Sequence, residues 1–411
     1  MHAPMSNYTT TEVAVIGAGP AGLASALALA AVGTEVTIVA PAPGTHAAAD
    51  TRTAALLPSS IELLNNLGAW WRCAEQSAPL EAIRIIDDRN GLLRAPEVLF
   101  KAAELDLPSF GANIANPLLR EALVAVADRA PRLNWQKTQA VIKVCPEEQA
   151  VRLALAENCT LTARLVVAAD GRKSLARSAA GIKTRTWSYP QTAVAAILRH
   201  GRQHGGIATE LHRRAGPLTV VPLPANQSSL VWVEAAGEAA RLQDLGETLF
   251  LGELEAQLQG LLGPLSAMGP RTSYPLVGLS AQRMGQNRIA LVGEAAHVIA
   301  PIGAQGLNLS LRDAAVLGEC VENARAQGLD IGGETTLAAY DKARAGDVLF
   351  RSVSIDLLNR SLLTDFLAVH LARGVSLHLL ANFAALRRLA MQAGLQPPGG
   401  LPRLMQPGAL A

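Results

Sequence analysis

Cysteine is scarce and scattered: Cys73, Cys145, Cys159 and Cys320 are the four in 411 residues, with no CxxC spacing and no histidine-rich neighbourhood. This argues against a disulfide framework and a zinc site, no metal ligand is expected, and a reducing compartment fits best. An excess of one charge is also missing. Lys and Arg number 36 against 34 Asp and Glu, a net charge of +2, so no clustered basic face is offered to nucleic acid and no nucleic-acid partner is expected. Met1 to Thr11 lacks the basic-then-apolar layout of a signal peptide, and a cytoplasmic location is expected. With 35 Gly and 23 Pro the chain is far from the composition of disordered or collagen-like sequences. There is no GxSxG elbow, no HExxH helix and no internal repeat.

A long uninterrupted hydrophobic run is lacking as well. Val13 to Ala40 comes nearest, but Gly17, Gly19, Pro20, Gly22 and Gly33 punctuate it and Thr34-Glu35 divides it. It reads instead as a strand at Val13–Ile16, a glycine turn, an Ala/Leu-rich helix and a second strand at Val36–Val39. Such a βαβ unit with continuous apolar strands opens a parallel sheet covered on both faces. Short β-like runs at Glu81–Ile86, Ala193–Leu198, Leu218–Pro222 and Ser229–Glu234 have no helical crossovers and predict a mostly antiparallel second region. A helix at Asn116–Arg129 and a strand at Leu165–Ala169 interrupt it, so the two regions interleave. Arg288–Val292 is a further strand, Gly306–Arg325 a helix, and the pattern from Thr335 is helical. Gln396 to Ala411, rich in Pro and Gly, is expected to wrap loosely.

Three motifs carry chemistry. The first is Gly17-x-Gly19-x-x-Gly22 between strand and helix, where missing side chains let a pyrophosphate approach the backbone and the helix N-terminus offers N–H groups. The acidic residue that usually follows the second strand and binds an adenosine ribose is here Ala40, which weakens a nicotinamide reading and leaves flavin open. The second motif is a strand ending in Asp170-Gly171. The third is a strand ending in Gly293-Glu294-Ala295-Ala296-His297, continuing through Pro301 and Gln305-Gly306-Leu307-Asn308 into a helix. A reduced isoalloxazine gains negative charge near N1 and O2, which a helix N-terminus stabilises.

Taken together, at these spacings, the motifs resemble the class A flavoprotein monooxygenases, specifically the ubiquinone-biosynthesis hydroxylase branch related to para-hydroxybenzoate hydroxylase, over nearly the whole chain. The resemblance implies an α/β fold: a doubly wound, Rossmann-like FAD-binding domain (1–75, 111–182 and 281–345) interleaved with a mostly antiparallel β-sheet substrate domain (76–110 and 183–280), then a C-terminal helical region (346–411). It implies FAD as cofactor and NADPH or NADH as transient reductant. The activity implied is hydroxylation of the aromatic ring of a polyprenylated phenol precursor of ubiquinone, using O2 through a flavin 4a-hydroperoxide. Cofactor-binding positions carried over are Gly17, Gly19, Gly22, Arg52, Arg120, Asp170, Gly293, Glu294, Pro301, Gly306, Leu307 and Asn308. Two departures stand out: the family's Gly-Asp is Gly293-Glu294, and its Gly-Gln-Gly is Ala304-Gln305-Gly306. An accessory or scaffold protein that binds FAD poorly, and a flavin monooxygenase for another small aromatic, are the alternatives.

His297 is a candidate for catalytic proton transfer, because imidazole titrates near neutral pH; the other reading is a histidine that bonds a backbone carbonyl and fixes the loop. The apolar series Leu362, Leu363, Phe366, Leu367, Val369, Leu371, Val375, Leu379, Leu380, Phe383, Leu386 and Leu389, with Arg373, Arg387 and Arg388, predicts a basic amphipathic helix. It lies either peripherally on the inner face of the membrane or packed on the flavin domain. A lipophilic aromatic substrate and contact with other ubiquinone-biosynthesis proteins complete the expected partners.

Overall fold

The computed structural model describes residues 8–42, 50–88, 96–266, 269–364, 367–397 and 399–410. Among them ten α-helices follow in order: α1 Pro20–Ala31, α2 Pro58–Asn66, α3 Asn116–Ala127, α4 Leu175–Ala179, α5 Ala236–Asp244, α6 Glu247–Leu258, α7 Gln305–Ala326, α8 Glu334–Leu363, α9 Leu367–Asn382 and α10 Ala384–Leu395.

The apolar runs near the start become the centre of a parallel sheet. Tyr8–Ile16 pairs in parallel with Val36–Ala40 on one side and with Thr160–Ala168 on the other; Leu133–Lys137 and Ile289–Leu291 extend the two flanks. Strand order thus reverses direction across Tyr8–Ile16, which opens a crevice at the carboxyl ends of the strands. Helix α1 is apolar on all sides because it is enclosed: every residue from Gly22 to Leu29 is buried, against the sheet, α3 and α7. Burial of Leu23, Leu27 and Leu29 contributes about 2 kcal/mol each.

The second sheet is antiparallel except for one pair, Ile207–His212 beside Ala82–Asp87. Its long strands Thr184–His200, Gln227–Ala235 and Thr272–Ala281 lie side by side. One face is covered by α5 and α6, with Trp232, Phe250 and Leu254 in a shared core; these two helices lie in a stretch that reads as strands and turns in the sequence. The fold is therefore the α/β architecture expected, a parallel sheet interleaved with a mostly antiparallel one and followed by helices.

Two expectations for the C-terminal part are corrected. The basic amphipathic segment is two helices, α9 and α10, and they dock on the edge of the second sheet rather than on the parallel-sheet half. Leu377 and Met391 join Val98, Phe100 and Phe110 in one cluster. Arg373 is paired with Asp87 at 3.1 Å and Arg387 with Glu104 at 2.7 Å, so two of the three arginines are held by the sheet side. Leu371, Val375, Leu379, Phe383, Leu386 and Leu389 remain exposed, while Phe366 lies outside the described residues. The Pro/Gly-rich end is anchored, not loose: Leu404 and Met405 are buried, and the Asn66 amide donates to the carbonyls of Leu404 and Gln406 at 3.0 and 2.8 Å. Among the described residues no helix is long and apolar enough to cross a membrane.

Candidate cofactor and active site

The first glycine turn shows two different reasons for lacking a side chain. A Cβ on Gly17 would lie 2.3 Å from the Ala169 carbonyl oxygen, and one on Gly22 would lie 2.2 Å from that of Gly17. Both glycines are fixed by packing. A Cβ on Gly19 would meet nothing within 4 Å. The middle position therefore faces open space at the start of α1, a helix with no side-chain cap and Pro20 in its first turn. Its free N–H groups and positive end can receive an anionic group there. Arg120, from α3, donates Nε to the Ala18 carbonyl at 3.0 Å and braces the same turn.

The other two motif loops reach this edge. Ala169 N donates to the Ile16 carbonyl and Val292 N to the Ala168 carbonyl, both at 3.0 Å, so the three strands end together. Asp170 accepts from the Ala176 N–H through Oδ2 at 3.3 Å; its buried Oδ1 has no partner among the described residues. An unpaired buried carboxylate oxygen calls for a donor such as a ligand hydroxyl. Gly293 has φ +61°, and a Cβ there would lie 3.3 Å from Cβ of Ala21, so the third turn is pressed on α1. Glu294 points outward, 54% exposed and 3.6 Å from Arg172. Arg52 is held by Asp50 through two bonds of 2.7 and 2.9 Å. Sequence reasoning missed Arg177, which is buried and bridges the second and third loops: its Nη1 and Nη2 donate to the carbonyls of Ala295 and Arg172, each at 2.8 Å. An arginine in a short helix carries no signal of that role.

His297 is 2% exposed, and its Nε2 lies 2.6 Å from Oδ2 of Asp313 on α7. Its partner is a carboxylate rather than the backbone carbonyl expected of a loop-fixing histidine. Asp313 also accepts from the Gly293 N–H at 3.0 Å and from Nε of Arg344 at 2.7 Å. Burial alone would raise the Asp313 carboxyl; the charges of His297 and Arg344 and the bonds from His297 and Gly293 outweigh it and keep it below the ordinary aspartate range. Asn308 is fully buried, accepting from Leu57 N and donating to the carbonyls of Ala55 and Ala304. Its amide thus clamps the start of α7 to a neighbouring strand. The first turn, Gln305-Gly306-Leu307, comes after Pro301 in the chain and directly follows Ala304, which adopts a left-handed φ of +54°.

Opposite this loop, an apolar wall comes from the second sheet. Tyr189, Ala193, Val233 and Leu276 form one buried cluster with Ala300 and Ile302 of the loop and Ile355 of α8; Trp187, Val231 and Tyr274 line its border. The Tyr189 hydroxyl donates to Asp356 at 2.6 Å and is pushed up to about 12, by burial first and by Asp356 second. An open cleft of about 650 Å³ lined by Glu147, Arg288 and Gly332 contains none of the motif residues.

A parallel sheet whose strand order reverses, with a glycine cradle and two further loops converging on its carboxyl edge, defines a flavin-type dinucleotide-binding oxidoreductase. The chain belongs to the FAD-binding domain family, which it matches over residues 10–346, and with it to the FAD-dependent monooxygenases. It is similar to ubiquinone hydroxylase UbiL of Rhodospirillum rubrum, with 35% identity over 93% of this chain and 88% of that protein. It is also similar to 3-demethoxyubiquinol 3-hydroxylase of Escherichia coli, with 28% identity over 94% of this chain and 98% of that protein. Among solved structures, p-nitrophenol 4-monooxygenase PnpA from Pseudomonas putida shares the fold, with a TM-score of 0.77 at 19% identity over 95% of this chain and 99% of that one.

Proposed function

We propose that this enzyme hydroxylates the aromatic ring of a polyprenylated phenol or quinol precursor of ubiquinone, with FAD resident and NADPH or NADH as transient reductant. The observation that carries the reading is the open position at Gly19 at the start of α1, together with the buried apolar cluster that joins Ala300 and Ile302 to the second sheet. The names of the two sequence relatives support the substrate class. We take segments 1–75, 111–182 and 281–345 as the cofactor domain, 76–110 and 183–280 as the substrate domain and 346–411 as the C-terminal region; the parallel sheet lies wholly within the first set, while Ala78–Pro79 and His297–Val298 pair across the division.

FAD, when bound, supplies the electron storage and oxygen chemistry. The chain's own residues place it and keep water out. The opening at Gly19 and the start of α1 would receive the pyrophosphate, with Arg120 holding the turn through Ala18 and Arg52 available to the phosphate and ribityl groups. Asp170 Oδ1, buried and unpartnered, would accept from a cofactor hydroxyl, and Glu294 would do so only by turning from Arg172. Backbone N–H groups of the first turn of α7, at Gly306 and Leu307, would stabilise the negative charge that a bound ring gains on reduction. Gly293, Pro301 and Asn308 set the loop's path, and His297 fixes it through Asp313. The wall of Tyr189, Ala193, Val233 and Leu276 offers the substrate ring a dry surface.

A lipophilic substrate resides in a bilayer, and the exposed leucines of α9 and α10 with Arg388 support transient peripheral contact, apolar more than basic because Arg373 and Arg387 are already paired. The decisive experiment is a visible spectrum of purified protein followed by NAD(P)H oxidation with and without a prenylated phenol. A flavin spectrum with substrate-stimulated oxidation and a hydroxylated product is expected. Protein that stays colourless at saturating FAD would overturn the reading in favour of an accessory role.

A further inference from the structure

We infer that Arg351 is a positioning residue that ties the seating of the C-terminal helices to the loop opening α7. It lies on the inward face of α8 and is 4% exposed. Nη1 donates to Oε1 of Gln305 at 2.9 Å and to the carbonyl of Gly394 at 2.8 Å, while Nη2 donates to the carbonyl of Gln396 at 3.0 Å. Gln305 is the first residue of α7, and its Nε2 donates in turn to the Gly303 carbonyl at 3.1 Å. Gly394 and Gln396 stand at the end of α10, where helix carbonyls lack partners within the helix and a cation can satisfy them. Three acceptors in separate directions suit the rigid fork of a guanidinium, and a lysine ammonium on its flexible stem does not reproduce them.

A chain of buried charges stands behind this contact. Asp347 lies 3.5 Å from Arg351 and accepts from Arg312 and Arg344 at 2.6 and 2.8 Å; Arg344 reaches Asp313, which holds the Gly293 N–H and His297. The end of α10, the start of α7 and the Gly293 turn are therefore mechanically linked. Displacing α9 and α10, whose outer face is the exposed apolar surface, shifts Arg351 and with it Gln305. The inference rests on the proposed function only in taking the α7 loop as the ring's site.

The test uses full-length protein carrying Arg351→Lys, Gln305→Leu or both. Hydrogen exchange is followed in segments 299–307 and 384–396, with and without FAD, and the FAD dissociation constant is measured by flavin fluorescence. Arg351→Lys is expected to speed exchange in both segments and weaken FAD about tenfold, the scale of one hydrogen bond. Gln305→Leu is expected to speed exchange in 299–307 alone and weaken FAD comparably, and the double variant to bind no more weakly than Arg351→Lys, because the two changes break one link. Faster exchange in 384–396 with 299–307 unchanged would reduce Arg351 to a helix anchor and overturn the inference, as would additive losses. Should Arg351→Lys not fold, Gln305→Leu decides: wild-type exchange in 299–307 overturns it. If wild-type protein takes up no FAD, the functional reading fails, while the exchange comparison still decides this one.

Discussion

Replacing Gly19 and Gly22 in turn by alanine separates the two duties of the glycine turn. Gly19 has φ −75° and ψ 171°, an extended conformation open to any residue, and a Cβ there meets nothing within 4 Å. As a helix N-cap, alanine costs about 0.5–1 kcal/mol relative to glycine, and the stiffer unfolded chain returns about 0.4–1 kcal/mol, so Gly19→Ala should change stability by less than about 1 kcal/mol. The new methyl occupies the space an approaching pyrophosphate needs. Loss of one charge-assisted hydrogen bond, about 1.5–3 kcal/mol, weakens FAD by roughly 10- to 150-fold. At Gly22 the methyl would sit 2.2 Å from a backbone oxygen, so helix and turn must separate, and overpacking of about 1–3 kcal/mol or more lowers stability itself. Urea denaturation without added cofactor, paired with flavin titration, gives both quantities. A Gly19→Ala protein that binds FAD as wild type does, or that is destabilised as much as Gly22→Ala, would refute the reasoning.

Three further outcomes are expected. Ala304 sits at φ +54°, where a non-glycine residue pays about 1–2 kcal/mol; Ala304→Gly should therefore raise stability by up to about 1 kcal/mol after the entropy of glycine is subtracted, and an unchanged denaturation midpoint would show the strain is not felt. The Asp313 carboxyl is held below its ordinary range, so its contribution is complete above the unfolded value near pH 4 and is lost as pH falls through the lower folded value. Asp313→Asn should cost about 3–5 kcal/mol at pH 7 by leaving the buried Arg344 guanidinium without its counter-charge, and should flatten the acid limb of the stability profile; a variant with the wild-type acid limb contradicts this. Phe383→Glu, on the exposed outer side of the C-terminal helices, should reduce co-flotation with anionic liposomes while flavin content stays normal, and equal flotation of both proteins counts against membrane contact.

Local chemistry made part of this molecule readable from its residues. An apolar run, glycines at fixed offsets and a second apolar run leave few conformations other than strand, turn, helix and strand, so Tyr8–Ile16, α1 and Val36–Ala40 were legible. Strands ending in Asp170-Gly171 and Gly293-Glu294 were legible for the same reason. Contacts made across the chain were not. Asp313, Arg344 and Asp347 lie on two helices and look like surface charges until α7 and α8 are packed. The docking of α9 on the second sheet depends on Arg373 meeting Asp87, 286 residues away, and one apolar stripe serves a bilayer or a protein edge equally well. Near the end, Leu404 and Met405 are too short a run to show a period, and the surrounding prolines and glycines suggested slack chain.

The burial of Leu404 has a consequence for proteolysis. Its side chain rests near Gly318 of α7, with Glu319 accepting from its N–H at 3.1 Å. Part of the outer surface of α7 is thus covered by a segment distant in sequence, so a cut between α10 and Leu404 should bare that surface while the rest of the chain stays folded.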